Sequence, residues 1–293
     1  MRAPSRRALA FASAAGAAAV VLGWFVYHRF GRHRPRYPYF ATPLAADDYR
    51  AMASRPGWEA STTIVEPDVS LRGLIRRPTA ASAPWVLFYS GNTQTQLATA
   101  QQFLDRLRGD RDWGLAAYAY RGYDSSDGVP SRDPMVADAF KVFEGLCQRE
   151  HVDPARVHLV AFSLGGYFAL HVASDAAKAN KRAASLSVMG SVEDIDMVTA
   201  SWPVWAIRIA PGEVYDTKPF LDAVPAPVAV IHESADDTVA VTQGRTLAAE
   251  LGNRARYLEL PGVGHVPILQ TEAALAAVRA MIEAKSPADP HGP

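Results

Sequence analysis

The run Val157-His158-Leu159-Val160-Ala161-Phe162-Ser163-Leu164-Gly165-Gly166 sends an apolar strand into a small-x-Ser-x-Gly turn and then into an Ala/Leu-rich helix. A turn this tight needs small residues two positions before and two after the serine, and Ala161 and Gly165 meet that need. Ala161 takes the place of the first glycine of the strict motif. The turn would lift Ser163 Oγ out of the sheet at the amino end of a helix. There unpaired N–H groups and the helix dipole favour a developing negative charge. This is a setting for attack on an acyl carbon. The plainer reading is a serine that caps an ordinary strand-to-helix turn.

A serine nucleophile needs a base, and eight histidines are available: His28, His33, His151, His158, His171, His232, His265 and His291. The first two flank an apolar segment and the last lies in a tail. His158, His171 and His232 fall within regular elements and read as packed or structural, and His151 sits in a helix-to-strand turn. His265 alone follows a late strand in a glycine-rich loop, Leu260-Pro261-Gly262-Val263-Gly264-His265, which lets an imidazole swing toward the carboxyl edge of a sheet. The acid that orients it is expected after the strand Val228–His232, where Asp236 and Asp237 compete. Asp237-Thr238 can cap the next helix, which leaves Asp236 as the better acid. The expected oxyanion donors are the backbone N–H of Leu164, directly after the serine, and that of Asn92, in the Ser90-Gly91-Asn92-Thr93 loop.

The elements that must carry these residues alternate. Apolar or β-branched runs at Thr62–Val65, Ser70–Ile75, Trp85–Tyr89, Leu115–Tyr120, Val157–Phe162, Leu186–Met189, Val228–His232 and Ala255–Leu260 read as strands. Helical spacing appears near 95–108, 134–149, 165–179, 240–251 and 271–284. Continuous apolar strands separated by helices predict a mostly parallel sheet covered on both faces. The first two runs have no helix between them and are expected to pair as an antiparallel hairpin at the sheet edge. Residues 191–224 hold Trp202, Pro203, Trp205, Pro211 and Pro219, and predict a cap or lid over the sheet. The domain reading is therefore an N-terminal segment at 1–30, a linker at 31–57, one α/β domain at 58–285 and a frayed tail at 286–293.

Composition narrows the partners. Of 293 residues, 49% are apolar and 20% charged, values of a globular core. The single cysteine, Cys147, excludes an intrachain disulfide and any cysteine-clustered metal site. Lys+Arg and Asp+Glu both total 30, but residues 1–37 hold seven arginines and no acid, which leaves 23 basic against 30 acidic residues beyond them. A nucleic-acid-binding domain usually carries the opposite sign. Ala8 to Tyr27 is free of charge for 20 residues between arginine-rich flanks, long enough as a helix to span a bilayer core. Its most apolar part follows the Ala-x-Ala triplets rather than preceding them. An uncleaved single-pass anchor is therefore expected over a cleaved signal peptide. Balanced flanking charge leaves its orientation unread.

These residues resemble the serine hydrolases of the α/β-hydrolase superfamily over roughly residues 60–285. The subgroup most similar is that of the membrane-anchored, single-domain hydrolases around the bud-emergence-like and α/β-hydrolase domain-containing proteins. That group shows Gly-Asn after the third strand, Arg-Gly-Tyr-x-x-Ser after the fourth and His-Gly-x-x-Asp-x-x-Val around the acid. The counterparts are Gly91-Asn92, Arg121 to Ser126 and His232 to Val239, and the last assigns Asp236 as the acid independently. Glu233 stands where glycine is expected, and Ser90 where histidine is commoner. Arg121 and Tyr123 are expected to support the loop rather than react. The resemblance implies an α/β-hydrolase fold with a Ser163–Asp236–His265 triad and no cofactor or metal. The implied reaction is hydrolysis of a carboxylic ester or thioester through an acyl-serine. An anchor, together with an apolar wall that Trp202, Val204, Trp205, Ile207 and Ile209 could form at the entrance, favours a small-molecule or lipid-like acyl substrate; the alternative is that those residues only pack the cap onto the sheet. A serine peptidase or amidase, or a membrane-tethered binding module without turnover, are the alternatives.

Overall fold

The computed structural model describes residues 39–194, 213, 215–225 and 227–284. The strands are β1 (Trp58–Glu66), β2 (Val69–Arg76), β3 (Trp85–Tyr89), β4 (Gly114–Tyr118), β5 (Val157–Phe162), β6 (Ser185–Met189), β7 (Val228–Glu233) and β8 (Ala255–Leu260). The helices are α1 (Ala46–Ala53), α2 (Gln96–Arg108), α3 (Arg132–Cys147), α4 (Leu164–Lys178), α5 (Lys218–Leu221), α6 (Val241–Leu251) and α7 (Glu272–Glu283). The eight strands form one sheet in the order β1-β2-β4-β3-β5-β6-β7-β8. β1 and β2 pair antiparallel at one edge, β2 joins β4 antiparallel, and β4, β3, β5, β6, β7 and β8 run parallel.

The burial pattern explains this order. Every residue of β3 through β7 is buried, so both faces of those strands are covered, and their sequences are unbroken apolar runs for that reason. β1 alternates between buried and open positions, as an edge strand with one free face must. α2 packs against α7, and α3 against α4. In α7 the buried residues Ala274, Leu275, Val278, Met281 and Ile282 form a single stripe at helical spacing. α4 is buried almost all round, which suits the helix that must bring the serine turn to the centre of the sheet.

Two expectations change in detail. Within 31–57, read from its Pro/Arg/Tyr content as a linker, Ala46–Ala53 is a helix, and Tyr49 OH donates to Gly73 O of β2 at 2.9 Å. Asp237 caps no helix: α6 begins four residues later, at Val241, without a side-chain cap. The candidate anchor at 1–30, the tail at 286–293 and the tryptophans of the cap lie outside the described residues. Of the cap, Asp194 bridges Asp216 and leads to the short α5. No helix among the described residues is long and apolar enough to cross a membrane.

Candidate active site

Ser163 joins β5 to α4 with φ 53° and ψ −126°, a region that L-residues avoid. The turn is held from both sides: Ser163 N–H donates to Met189 O and Gly166 N–H to Ser163 O, each at 2.9 Å. A Cβ on Gly165 would stand 2.2 Å from Tyr89 O, so only glycine fits two positions after the serine. Ala161, two positions before it, is fully buried between its strand partners Tyr89 and Val188.

The sheet brings the three separated residues together. His265 Nδ1 lies 2.6 Å from Asp236 Oδ2, and its Nε2 lies 3.0 Å from Ser163 Oγ. With Nδ1–H donating to the carboxylate, the Nε2 lone pair faces the serine hydroxyl. The imidazole rests on the Phe162 ring, with centroids 4.8 Å apart. Asp236 Oδ1 accepts the backbone N–H groups of Thr238 at 2.9 Å and Val239 at 2.7 Å. Burial pushes the Asp236 carboxyl up, but hydrogen bonds from His232, His265 and the Val239 amide outweigh it and hold the group far below the usual carboxylate range. Asp237, the competing acid, is exposed, and among the described residues its side chain accepts a bond from its neighbour Thr238.

Among the described residues, three of the other histidines do structural work. His158 Nδ1 meets Ser185 Oγ at 2.8 Å, and His171 stacks on Phe220 with ring centroids 3.6 Å apart. Burial pushes each of these imidazoles down to about 4. His151 is an exposed turn residue with φ 65°. His232 is buried, donates from Nε2 to Val239 O at 2.9 Å, and places the same nitrogen 3.5 Å from Asp236 Oδ2. It braces the acid, a role that its position in a strand does not announce.

The loop 90–93 also borders the serine. A Cβ on Gly91 would come within 3.0 Å of Ser163 Cβ, so the loop backbone is in contact with the serine. Leu164 is the first residue of α4, and its N–H has no acceptor within the helix. The loop is held by neutral groups. Asn92 Oδ1 accepts Tyr123 OH at 2.6 Å and Phe40 N–H at 2.9 Å. Gln96 Nε2 donates to Gly91 O at 3.1 Å, and Tyr120 OH donates to Ser90 O at 2.7 Å. Residues 39–44 form a strap across this edge. Thr42 Oγ1 donates to Gln94 O at 2.7 Å, Asp124 N–H to Thr42 O at 2.9 Å, and Tyr39 OH pairs with Tyr215 OH.

The 121–126 motif supports the loop, as expected. Arg121 makes two bonds to Asp138, at 2.6 and 2.7 Å, and one to Glu66 at 2.8 Å. Asp124 Oδ2 accepts Leu97 N–H at 2.6 Å and so caps α2. Burial raises this carboxyl to about 6 against the lowering pull of the Leu97 and Gln96 amides. Among the described residues no cluster of His, Cys, Asp and Glu could hold a metal ion.

No family model matches the chain. It is 31% identical over 195 residues to an uncharacterized protein of Mycobacterium tuberculosis, a match covering 63% of each chain. It is 26% identical over 221 residues to the α/β-hydrolase domain-containing protein aho-3 of Caenorhabditis elegans, covering 72% of this chain and 61% of that one. The chain thus spans less than two thirds of these relatives' length. Among solved structures it superposes on an esterase of Pyrococcus furiosus with a TM-score of 0.65 and 14% identity, over 86% of this chain and 98% of the other. An α/β hydrolase of Vibrio vulnificus gives a TM-score of 0.66 and 19% identity, over 81% and 88%. By its strand order and these likenesses, the chain has the α/β-hydrolase fold.

Proposed function

We propose that the protein is a serine hydrolase that cleaves a carboxylic ester or thioester through an acyl-serine intermediate. The observation that carries the reading is the continuous hydrogen-bonded chain from Ser163 Oγ through the His265 ring to Asp236, beginning at a strained serine on the amino end of a buried helix. His265 Nε2 takes the proton of Ser163 Oγ as the oxygen bonds the acyl carbon, and Asp236 holds the imidazole and balances its positive charge. The N–H groups of Leu164 and Asn92 receive the oxyanion. The leaving alcohol or thiol departs with the proton from His265. Water, deprotonated by the same ring, then attacks the acyl carbon, and the carboxylic acid and free serine are released. No cofactor enters this sequence. The esterase name of the Pyrococcus neighbour agrees with the reading.

The anchor at 1–30 and the lipid-like substrate remain part of the proposal, and both rest on sequence outside the described residues. The test is turnover of p-nitrophenyl esters from acetate to decanoate, with matched acyl thioesters, by detergent-solubilised wild type and Ser163→Ala. The expected result is saturable hydrolysis by wild type and a loss of at least about 10³-fold in the variant. Equal rates from both proteins would overturn the reading.

A further inference from the structure

Glu233 is the last residue of β7 and has no exposed surface. Its Oε1 accepts the N–H of Ala235 at 3.0 Å, and its Oε2 accepts the N–H of Gly264 at 2.8 Å. Ala235 directly precedes Asp236, and Gly264 directly precedes His265. One carboxylate therefore holds the amide immediately before each of the two residues that meet in the 2.6 Å His265–Asp236 bond. Among the described residues no Lys or Arg forms an ion pair with it, so backbone amides alone satisfy the charge. Burial drives this carboxyl up, yet the amides of Ala235, Gly264, Val263 and Gly262 overcome that and keep it below its ordinary value.

The 261–264 loop needs such an anchor. Gly262 and Gly264 both adopt positive φ, at 66° and 86°, and a glycine-rich turn has little intrinsic preference for one conformation. β8 leaves the sheet beside Glu233, which pairs with Leu260, and Ser234 N–H bonds Leu260 O at 2.8 Å. Beyond that pairing and the His265–Asp236 bond itself, the Glu233 carboxylate ties the histidine loop to the acid loop.

We propose that Glu233 is a positioning residue: its carboxylate clasps the two loops and sets the distance and angle at which Asp236 meets His265. The inference deepens the hydrolase reading and rests on it. Glu233 makes no contact with the reacting atoms. It acts through the Asp236–His265 bond, and its removal matters only while that bond exists.

The test measures the second-order rate of Ser163 modification by a fluorophosphonate, from pH 5 to 9, in full-length wild type, Glu233→Ala, Glu233→Gln, Asp236→Asn and the double variant Glu233→Ala/Asp236→Asn. Glu233→Ala is expected to slow modification roughly 10- to 100-fold, the scale of a small misplacement of a reacting group. Its acid limb should move to lower pH as the imidazole loses its fixed partner. Glu233→Gln keeps one acceptor oxygen at similar volume and should fall between the two, and it carries the test should the alanine variant fail to fold. The decisive prediction is non-additivity. In the Asp236→Asn background, Glu233→Ala should cost less than about threefold. Additive losses, an unmoved pH profile, or a rate within about twofold of wild type overturn the clasp and leave the hydrolase reading standing. A folded wild type that forms no adduct overturns that reading, and this inference with it.

Discussion

The two sides of Ser163 are held by opposite kinds of chemistry. On the imidazole side, two buried carboxylates, Asp236 and Glu233, take backbone amides and stay well below or below their usual range. On the side of the 90–93 loop, the supports are a phenol, an amide and strap backbone, and the nearby carboxyl, Asp124, is raised to about 6 by burial. The proposed attack on an acyl carbon would explain the asymmetry. In that reaction the imidazole becomes a cation, so fixed negative charge next to it is favourable. The oxyanion would be received at the 90–93 loop, where a full negative charge would oppose it and neutral dipoles would not.

The largest effect expected from this contrast separates the two acids. Asp236→Asn should lower hydrolysis by about 10³-fold or more, because the imidazole loses both its charge partner and its fixed tautomer. Asp237→Asn should stay within about twofold, since that residue is exposed and meets only Thr238 among the described residues. Steady-state kinetics with folding checked by circular dichroism decide this, and a reversed order would transfer the role to Asp237.

A smaller effect probes the neutral side. Tyr123→Phe removes the hydroxyl that meets Asn92 Oδ1 at 2.6 Å. It should lower kcat about tenfold with KM little changed, and cost about 1 kcal/mol of stability. A change in KM alone would mean that Asn92 serves substrate binding rather than the oxyanion.

The smallest effect is in stability and has opposite signs on the two sides. The Asp124 carboxyl lies above its unfolded value of about 3.9, so ionising it in the folded protein costs stability as pH rises from about 4 through about 6. Asp124→Asn, which keeps the acceptor for Leu97 N–H and tolerates the positive φ of 46°, should be more stable than wild type at pH 7.5, by about 1–2 kcal/mol. At pH 4 the two should be equal. The Asp236 carboxyl is depressed, so its contribution is present above its unfolded value and lost as pH falls below it. Asp236→Asn should therefore be less stable than wild type at pH 7.5. Urea midpoints at the two pH values measure both, and equal signs would dissolve the contrast.

The candidate triad residues are readable because each sits in a local pattern with a steric cause. Ser163 follows a fully buried strand between small residues that the turn demands. His265 follows two glycines, and Asp236 follows a strand that pairs on both sides. The parallel sheet was readable for the same reason, since strands buried on both faces must be continuously apolar. What escaped is long-range or atypical. The strap at 39–44 looks like a Pro/Tyr-rich linker, because Phe40 finds its partner, Asn92, 52 residues further along the chain. Glu233 reads only as a departure from the expected glycine, because nothing near it in the chain reveals the Gly264 amide, 31 residues on. Asp237 looks like a helix cap because the residues after it carry helical spacing, and the intervening turn delays the helix to Val241.

The proposed hydrolase depends most directly on Ser163 being an activated nucleophile. Detergent-solubilised wild type and Ser163→Ala, each treated with a fluorophosphonate and read by intact mass and peptide mapping, test this. The expected result is a single adduct on wild type, located on Ser163 and absent from the variant. A folded wild type that stays unmodified, or an adduct that persists in Ser163→Ala, would contradict it.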